Sequence, residues 1–206
     1  MGTKERRSRE KEKRRKDILN VSRRLFWSNG FDGTTIPGIA KSLELAPGTI
    51  YLYYPSKESI YLELLLEGYD ILISRLRGSL KLNISIEERA ELLLDEFLGF
   101  ATEMPEYFDI IFFVLQKEFG GIRKSSFEPI QIERLTQKES ECKKIVAEVL
   151  GELPGIKHTP ASASDIEAIW SMLAGVVFFW RAESPDKFQT VTQSAKTIIL
   201  NYGKKQ

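Results

Sequence analysis

The feature that most constrains the fold is the stretch from Phe31 to Leu65, which holds two short helical patterns separated by a tight turn. Thr34 or Thr35 caps the first pattern with a side-chain oxygen. Pro47 opens the second pattern, at a position where the missing N–H costs nothing. Two short helices joined in this way form a helix-turn-helix, which presents its second helix to a DNA major groove.

The apolar positions of this stretch recur at helical spacing and are predicted to form the core of a small N-terminal domain. They are Ile36, Ile39, Ala40, Leu43, Leu45, Ile50 and Tyr54. A preceding helix over residues 4–29 is expected to pack on them and to end at Asn29-Gly30, because glycine accepts the left-handed conformation that follows many helices.

The remainder of the chain also shows helical periodicity, without the alternation typical of strands. Ser85 with Glu88 and Ser164 with Glu167 have the spacing of capping boxes, and Ser184-Pro185 predicts the start of a last helix. We therefore expect an all-α protein of about nine helices: a three-helix helix-turn-helix domain, then a larger helical domain.

Composition excludes several classes of protein. The longest apolar run, Met172 to Trp180, is nine residues and too short to cross a bilayer. The basic N-terminus has no apolar stretch after it, so it does not resemble a signal peptide. The lone cysteine, Cys142, cannot form an internal disulfide, occupies an apolar helix stripe, and fits a reducing cytoplasm as an inert core residue.

Charge is distributed unevenly along the chain. Residues 1–57 hold 13 Lys and Arg against 6 Asp and Glu, a net charge of +7, whereas the rest holds 17 against 23, a net of −6. A basic head on an acidic body suggests a head that meets a polyanion. The N-terminal run Lys4 to Lys16 could follow a DNA minor groove, or could simply be a solvated helix face.

Over residues 14–65 the sequence resembles the tetracycline-repressor (TetR) family of bacterial regulators. The matching elements are Gly30-Phe31, Thr34-Thr35, Ile39-Ala40 and the run from Gly48 to Glu58, GTIYLYYPSKE. Tyr54 stands where the family usually has Phe, and Pro55 occupies a position that is often basic or polar. The resemblance implies a DNA-binding domain over residues 1–56 and an effector-binding and dimerisation domain over residues 57–206.

Within the motif, each expected DNA contact has a physical reason. Free N–H groups at a helix N-terminus attract a phosphate, a glycine permits close approach, and small or apolar side chains meet base edges. Tyrosine hydroxyls and a lysine can contact phosphates. The predicted DNA-binding residues are Thr34, Thr35, Pro47, Gly48, Thr49, Tyr51, Leu52, Tyr53 and Lys57.

The sequence offers no constellation for catalysis, so we expect no enzyme, no metal and no cofactor. His158 is the only histidine and lies in a predicted loop. No nucleophile elbow is present. A single histidine and a single cysteine cannot make a zinc site. Glycine-rich phosphate loops are also missing.

In the resembled family the C-terminal domain holds an inducer and dimerises through its last two helices. Aromatic side chains, which line apolar pockets but also fill ordinary cores, suggest an apolar or aromatic effector. The pocket is predicted from Phe97, Phe100, Tyr107, Ile111, Phe112, Leu115, Phe119, Trp170 and Phe178. The segment 168–180 is apolar around its full circumference, and a second copy of the chain could cover it. The predicted dimer residues are Ile169, Leu173, Val176, Val177, Trp180, Val191, Ala195 and Ile198.

We therefore expect a homodimeric regulator of transcription that binds a palindromic operator. It is most simply a repressor that an effector releases from DNA. The alternative keeps the DNA-binding head and replaces the effector with a protein partner, so that the chain acts as a DNA-bound scaffold.

Overall fold

The computed structural model describes residues 3–114, 127–153 and 160–201, and within them it contains nine α-helices and no strand. The helices are α1 (Thr3–Gly33), α2 (Ile36–Ser42), α3 (Pro47–Tyr51), α4 (Lys57–Leu80), α5 (Ile86–Glu103), α6 (Pro105–Asp109), α7 (Pro129–Leu150), α8 (Pro160–Trp180) and α9 (Pro185–Leu200). A π-helical turn, Ile110–Val114, follows α6. The all-α prediction is confirmed.

Local signals in the sequence set most of the helix ends. Gly30 has φ 71° and breaks α1 where the sequence predicts its end, although helical geometry resumes as far as Gly33. Ser85 and Glu88 form the predicted reciprocal capping box at the start of α5. Ser184 caps α9 by accepting a hydrogen bond from the backbone N–H of Lys187.

The prediction that Ser164 caps α8 is wrong. The helix already begins at Pro160, so Ser164 lies inside its second turn. Proline suits the first position of a helix, and here it starts α8 one turn earlier than the pattern of serine and glutamate suggests.

The chain divides into two compact units. The first comprises residues 1–67 and 109–134, and the second comprises residues 68–108 and 135–206. The predicted boundary between residues 56 and 57 stays a prediction. We call residues 3–67 of the first unit the head, and the described residues of the second unit the body.

The head is built on a small apolar core. Ile18 of α1, Ile39 of α2 and Ile50 of α3 have no exposed surface, and Tyr54 is 1% exposed. Phe26 and Phe31 stack beside Tyr61, whose ring meets both edge-on at about 5 Å between centroids. This core holds α2 and α3 against α1, so the outer face of α3 is fixed without needing a ligand.

The body has its own core around α5. Phe97 and Phe100 are buried there, and Phe97 meets the rings of Phe108 and Trp170 at 5.6 and 5.2 Å between centroids. Lys196 of α9 is also buried, and its ammonium group contacts Asp95 at 2.7 Å and Glu91 at 3.3 Å. Ion pairing thus joins α9 to α5 beside the aromatic cluster. No described helix is long and apolar enough to cross a membrane.

Candidate DNA-binding surface

The outer face of α3 carries large side chains that the head does not bury. Tyr51 is 53% exposed, and Leu52, which follows it, is 78% exposed. Ile50 lies on the inner face of α3 and is fully buried. Tyr53 is half-buried and Thr49 is also partly covered. Because α3 is a single short turn pinned by Ile50, these tips are held in fixed positions on the surface.

Pro47 and Gly48 form the exposed first turn of α3. A side chain added at Gly48 would meet no atom of the chain within 4 Å. Its φ does not require glycine, so the backbone conformation does not explain the residue. A glycine at this exposed position would allow another molecule to approach the backbone closely, which is the role expected for a glycine that faces a duplex.

The two threonines before α2 have different environments. Thr35 is exposed, and its hydroxyl oxygen accepts a hydrogen bond from the N–H of Gly38 at 3.1 Å, which makes it the N-cap. Thr34 is 2% exposed, and its hydroxyl donates to the carbonyl oxygen of Gly30 at 2.8 Å. The Thr34 side chain therefore closes the break in α1 and has no surface for a phosphate, which corrects the sequence expectation.

Lys57 also has a partner inside the head. Its ammonium group donates to the carbonyl oxygen of Phe31 at 2.7 Å and lies 3.9 Å from the centroid of the Phe31 ring. A cation over an aromatic face and a charge-assisted hydrogen bond both stabilise the fold. In this structure Lys57 joins the start of α4 to the end of α1, whereas the sequence suggested a phosphate clamp.

A contact that sequence analysis missed lies behind α3. Tyr54 donates its hydroxyl hydrogen to the carbonyl oxygen of Arg15 at 3.3 Å, and the Arg15 guanidinium lies 4.6 Å from the Tyr54 ring centroid. Burial raises the pKa of Tyr54 to about 12. Arg15 also pairs with Glu63 of α4 at 3.2 Å, and Glu63 pairs with Arg134 of α7 at 2.9 Å.

This contact fixes the segment after α3 to the middle of α1. The helical spacing of apolar residues predicts Tyr54 as a core residue, and its burial confirms this prediction. Its partner lies 39 residues earlier in the chain, and no local spacing in the sequence signals that pairing.

The residues predicted to line an effector pocket are divided between the two units. Phe97, Phe100 and Tyr107 are buried in the body and Trp170 is half-buried there, while Ile111 and Phe112 are buried in the first unit. Leu115 and Phe119 lie outside the described residues. Phe178 is 54% exposed and contacts Phe179 on the surface of α8. The expectation that Phe178 lines an enclosed pocket is therefore not met within the single chain.

The predicted dimer residues also fall into two groups. Ile169, Leu173, Val177 and Ala195 are buried within the single chain, because they face the core that α8 and α9 share with α5, and they offer no surface to a partner. Val176, Trp180 and Val191 are half-buried, and Ile198 is 59% exposed. Phe179 is the most exposed of the large apolar residues on α8 and α9, at 70%, and it was not predicted.

The class of protein follows from this geometry: a helix-turn-helix domain with an exposed second helix, joined to a helical body. Residues 18–64 match the family model TetR_N, described as bacterial regulatory proteins of the tetR family. Over 60 residues the chain is 35% identical to the transcriptional regulator UidR of Escherichia coli K12, a match that covers 29% of this chain and 31% of UidR.

Solved structures extend the likeness in fold to nearly the whole chain. The TetR-family regulator PfmR of Thermus thermophilus matches with a TM-score of 0.68 and 20% identity, covering 89% of this chain and 97% of PfmR. FadR of Bacillus subtilis, solved in complex with stearoyl-CoA, matches with a TM-score of 0.67 and 18% identity, covering 89% and 96%. Residues 18–64 are therefore similar to the N-terminal domain of the tetR-family regulators, and the solved structures show the same fold over about nine tenths of this chain.

Proposed function

We propose that the protein is a homodimeric repressor that places two copies of α3 in successive major grooves of a palindromic operator. The observation that carries this proposal is the outer face of α3, where Tyr51 and Leu52 are exposed beside an unobstructed Gly48. Leu52 has the chemistry to meet a thymine methyl group, and the Tyr51 hydroxyl can donate to a phosphate. Thr49 and Tyr53 flank these tips, and Pro47 starts the helix.

The α2 N-terminus supports the same docking. Thr35 caps α2, and the first turn of a helix carries N–H groups and a partial positive charge that favour an anion. Phosphate contacts of this kind fix the register of a protein on DNA, while contacts from α3 to base edges supply specificity.

Dimerisation is proposed from the apolar surface of the last two helices. Phe178, Phe179 and Ile198 are each more than half exposed, and Gly175 on α8 leaves open space beside its backbone. A self-complementary interface between two copies would bury these rings and place the two heads symmetrically. Half-sites about 34–36 Å apart on one face of the duplex would then fit the dimer.

An apolar or aromatic effector is proposed for the body. Its aromatic cluster of Phe97, Phe100, Phe108 and Trp170 supplies the kind of lining that apolar ligands favour. FadR of Bacillus subtilis, which shares the fold, is solved with stearoyl-CoA. The dimer can adopt one geometry that spans the operator and another that does not. An effector releases DNA only if it binds the second geometry more tightly than the first.

The experiment measures binding to an inverted repeat from the region upstream of the gene by fluorescence anisotropy. The wild type binds the repeat more tightly than a scrambled duplex, with two chains per site. Tyr51→Phe removes one phosphate hydrogen bond worth about 1 kcal/mol from each chain, so binding of the dimer weakens by about 2 kcal/mol, or roughly thirtyfold. Tyr61→Phe is the matched control, because its hydroxyl is inside the head, and it leaves binding unchanged.

Two results would contradict the proposal. Failure of the wild type to bind any duplex at low ionic strength would remove the DNA-binding function. If the repeat is bound but stearoyl-CoA, free fatty acids and aromatic compounds neither bind the body nor release DNA, the effector is excluded, and a scaffold for a protein partner takes its place.

A further inference from the structure

The N-terminal part of α1 extends beyond the core of the head. The helix begins at Thr3, but Ile18 is its first buried side chain, and every side chain from Lys4 to Arg14 is exposed. At 1.5 Å per residue, the extension before Arg15 is roughly 16 Å long. No apolar face in this extension accounts for it as a packing element.

Four basic residues form a single line along this extension. Lys4, Arg7, Lys11 and Arg14 are spaced three, four and three residues apart, which places them on one face of the helix. We call these four residues the basic stripe. The same spacing continues to Ile18 and Val21, which are buried in the core of the head. The stripe therefore lies on the same face of α1 as these two core residues.

A second set of four basic residues occupies the opposite face: Arg6, Arg9, Lys13 and Lys16. The two faces differ in pairing. Arg6 contacts Glu10 at 2.8 Å, whereas no residue of the basic stripe forms an ion pair within residues 3–114, 127–153 and 160–201. Like charges three and four residues apart repel one another, so the stripe destabilises a free helix slightly, and a bound anion would remove that repulsion.

The contact between Arg15 and Tyr54 fixes the C-terminal end of the basic stripe to the segment that follows α3. Arg15, the residue after the stripe, lies against Tyr54. Tyr54 follows Tyr51 and Leu52 by only three and two residues. The first residue after the extension is therefore held against the segment that directly follows Tyr51 and Leu52, so that a long polyanion bound at α3 could continue along the stripe.

We propose that the basic stripe binds the sugar–phosphate backbone of DNA next to the major groove that α3 enters. The inference rests on the proposed DNA-binding function and adds a second, sequence-independent contact to it. Each lysine or arginine that neutralises a phosphate releases counterions, which steepens the fall of affinity with salt by about 0.9 in the log–log slope. Four such contacts add about 3.6 to the slope for each chain.

The test compares two full-length variants that lose the same charge. One replaces the basic stripe, K4Q/R7Q/K11Q/R14Q, and the other replaces the opposite face, R6Q/R9Q/K13Q/K16Q. Affinity for a 40-bp duplex of mixed sequence is measured by anisotropy between about 25 and 200 mM salt, since phosphate contacts act without an operator. Circular dichroism and thermal melting confirm that both variants keep the fold, which is expected because the core begins at Ile18.

In the stripe variant, we expect the slope of log affinity against log salt concentration to become shallower by about three to four for each bound chain. At 100 mM salt, this variant should bind at least about tenfold more weakly than the wild type. The opposite-face variant should lose less than about one unit, because its charges point away from the duplex. A third variant, K4R/R7K/K11R/R14K, keeps the four charges and should keep the wild-type slope.

Equal losses in the two glutamine variants would overturn the inference, since they would show a general charge effect. An unchanged slope in the stripe variant would overturn it as well. In either case wild-type binding and the weakening by Tyr51→Phe would still stand, so the proposed function would survive. A wild type that binds no duplex would remove both.

Discussion

The head and the body each expose large side chains, but the charge around the two surfaces differs. In the head, Tyr51 and Leu52 are 53% and 78% exposed, and the chain to Lys57 carries 13 basic against 6 acidic residues. In the body, Phe178 and Phe179 are 54% and 70% exposed. The chain from residue 58 onward, which includes them, carries 17 basic against 23 acidic residues. Exposure by itself therefore does not identify a partner. Basic surroundings suit a polyanion, and an apolar face suits a second apolar face.

The largest expected effect comes from placing a charge on the apolar face of the body. Phe179→Lys would bury an ammonium group in the proposed dimer interface, which costs several kcal/mol. We expect dissociation of the dimer to become at least about a hundredfold easier at unchanged helix content. Sedimentation equilibrium measures the change, and binding to the palindrome should weaken with it.

Leu82→Lys is the matched control for that substitution. Leu82 is also an exposed large apolar residue, at 47%, but it lies between α4 and α5 and not on α8 or α9. The control should remain dimeric. A Phe179→Lys protein that stays dimeric would show that α8 does not form the interface through this face.

A smaller effect is expected at Lys57, where sequence and structure suggest different roles. Lys57→Ala removes the hydrogen bond to the Phe31 carbonyl and the contact with the Phe31 ring. We expect the free energy of unfolding to fall by about 1–2 kcal/mol, measured by urea denaturation. The salt dependence of DNA binding should stay the same.

Lys41→Ala provides the comparison for Lys57, since Lys41 is an exposed lysine in the last turn of α2. Its loss should change stability by less than about 0.5 kcal/mol. If Lys57→Ala instead lowers the salt slope by about one unit and leaves stability intact, Lys57 contacts a phosphate, as the sequence motif suggests.

The smallest effect is expected at Cys142 of α7. Burial raises the pKa of its thiol to about 12, so very little reactive thiolate exists at pH 8. The native protein should react slowly with Ellman's reagent, and the unfolded protein should react fully with one thiol per chain. Rapid labelling of the native protein would show that this part of the body opens readily.

Sequence predicts the head better than the body because the signals in the head are local. Pro47 at the start of α3 and the buried positions Ile39 and Ile50 all follow from spacing within a few residues. The environment of Lys57 was not predictable in this way, because its partner Phe31 lies 26 residues earlier. The partner of Thr34 is local, but the sequence does not show whether its hydroxyl caps α2 or donates back to the carbonyl oxygen of Gly30.

In the body, uniform apolarity hides which face of a helix is buried. The run from Ile169 to Trp180 is apolar on all sides, so its sequence does not distinguish Leu173 and Val177, which are buried, from Phe178 and Phe179, which are exposed. Lys196 occupies a buried position because its carboxylate partners lie on α5, about a hundred residues earlier. Only tertiary structure brings those groups together.

The most direct test of the central claim, that the outer face of α3 meets duplex DNA, is Gly48→Ala. The chain leaves open space at Gly48, and alanine favours a helix over glycine by up to about 1 kcal/mol. Gly78→Ala in α4, where space is also open, is the control. We predict that Gly48→Ala is as stable as the wild type or more stable, yet binds the operator at least about tenfold more weakly because the added methyl group meets the duplex. Gly78→Ala should keep full affinity, and full affinity in Gly48→Ala would contradict the docking of α3 against DNA.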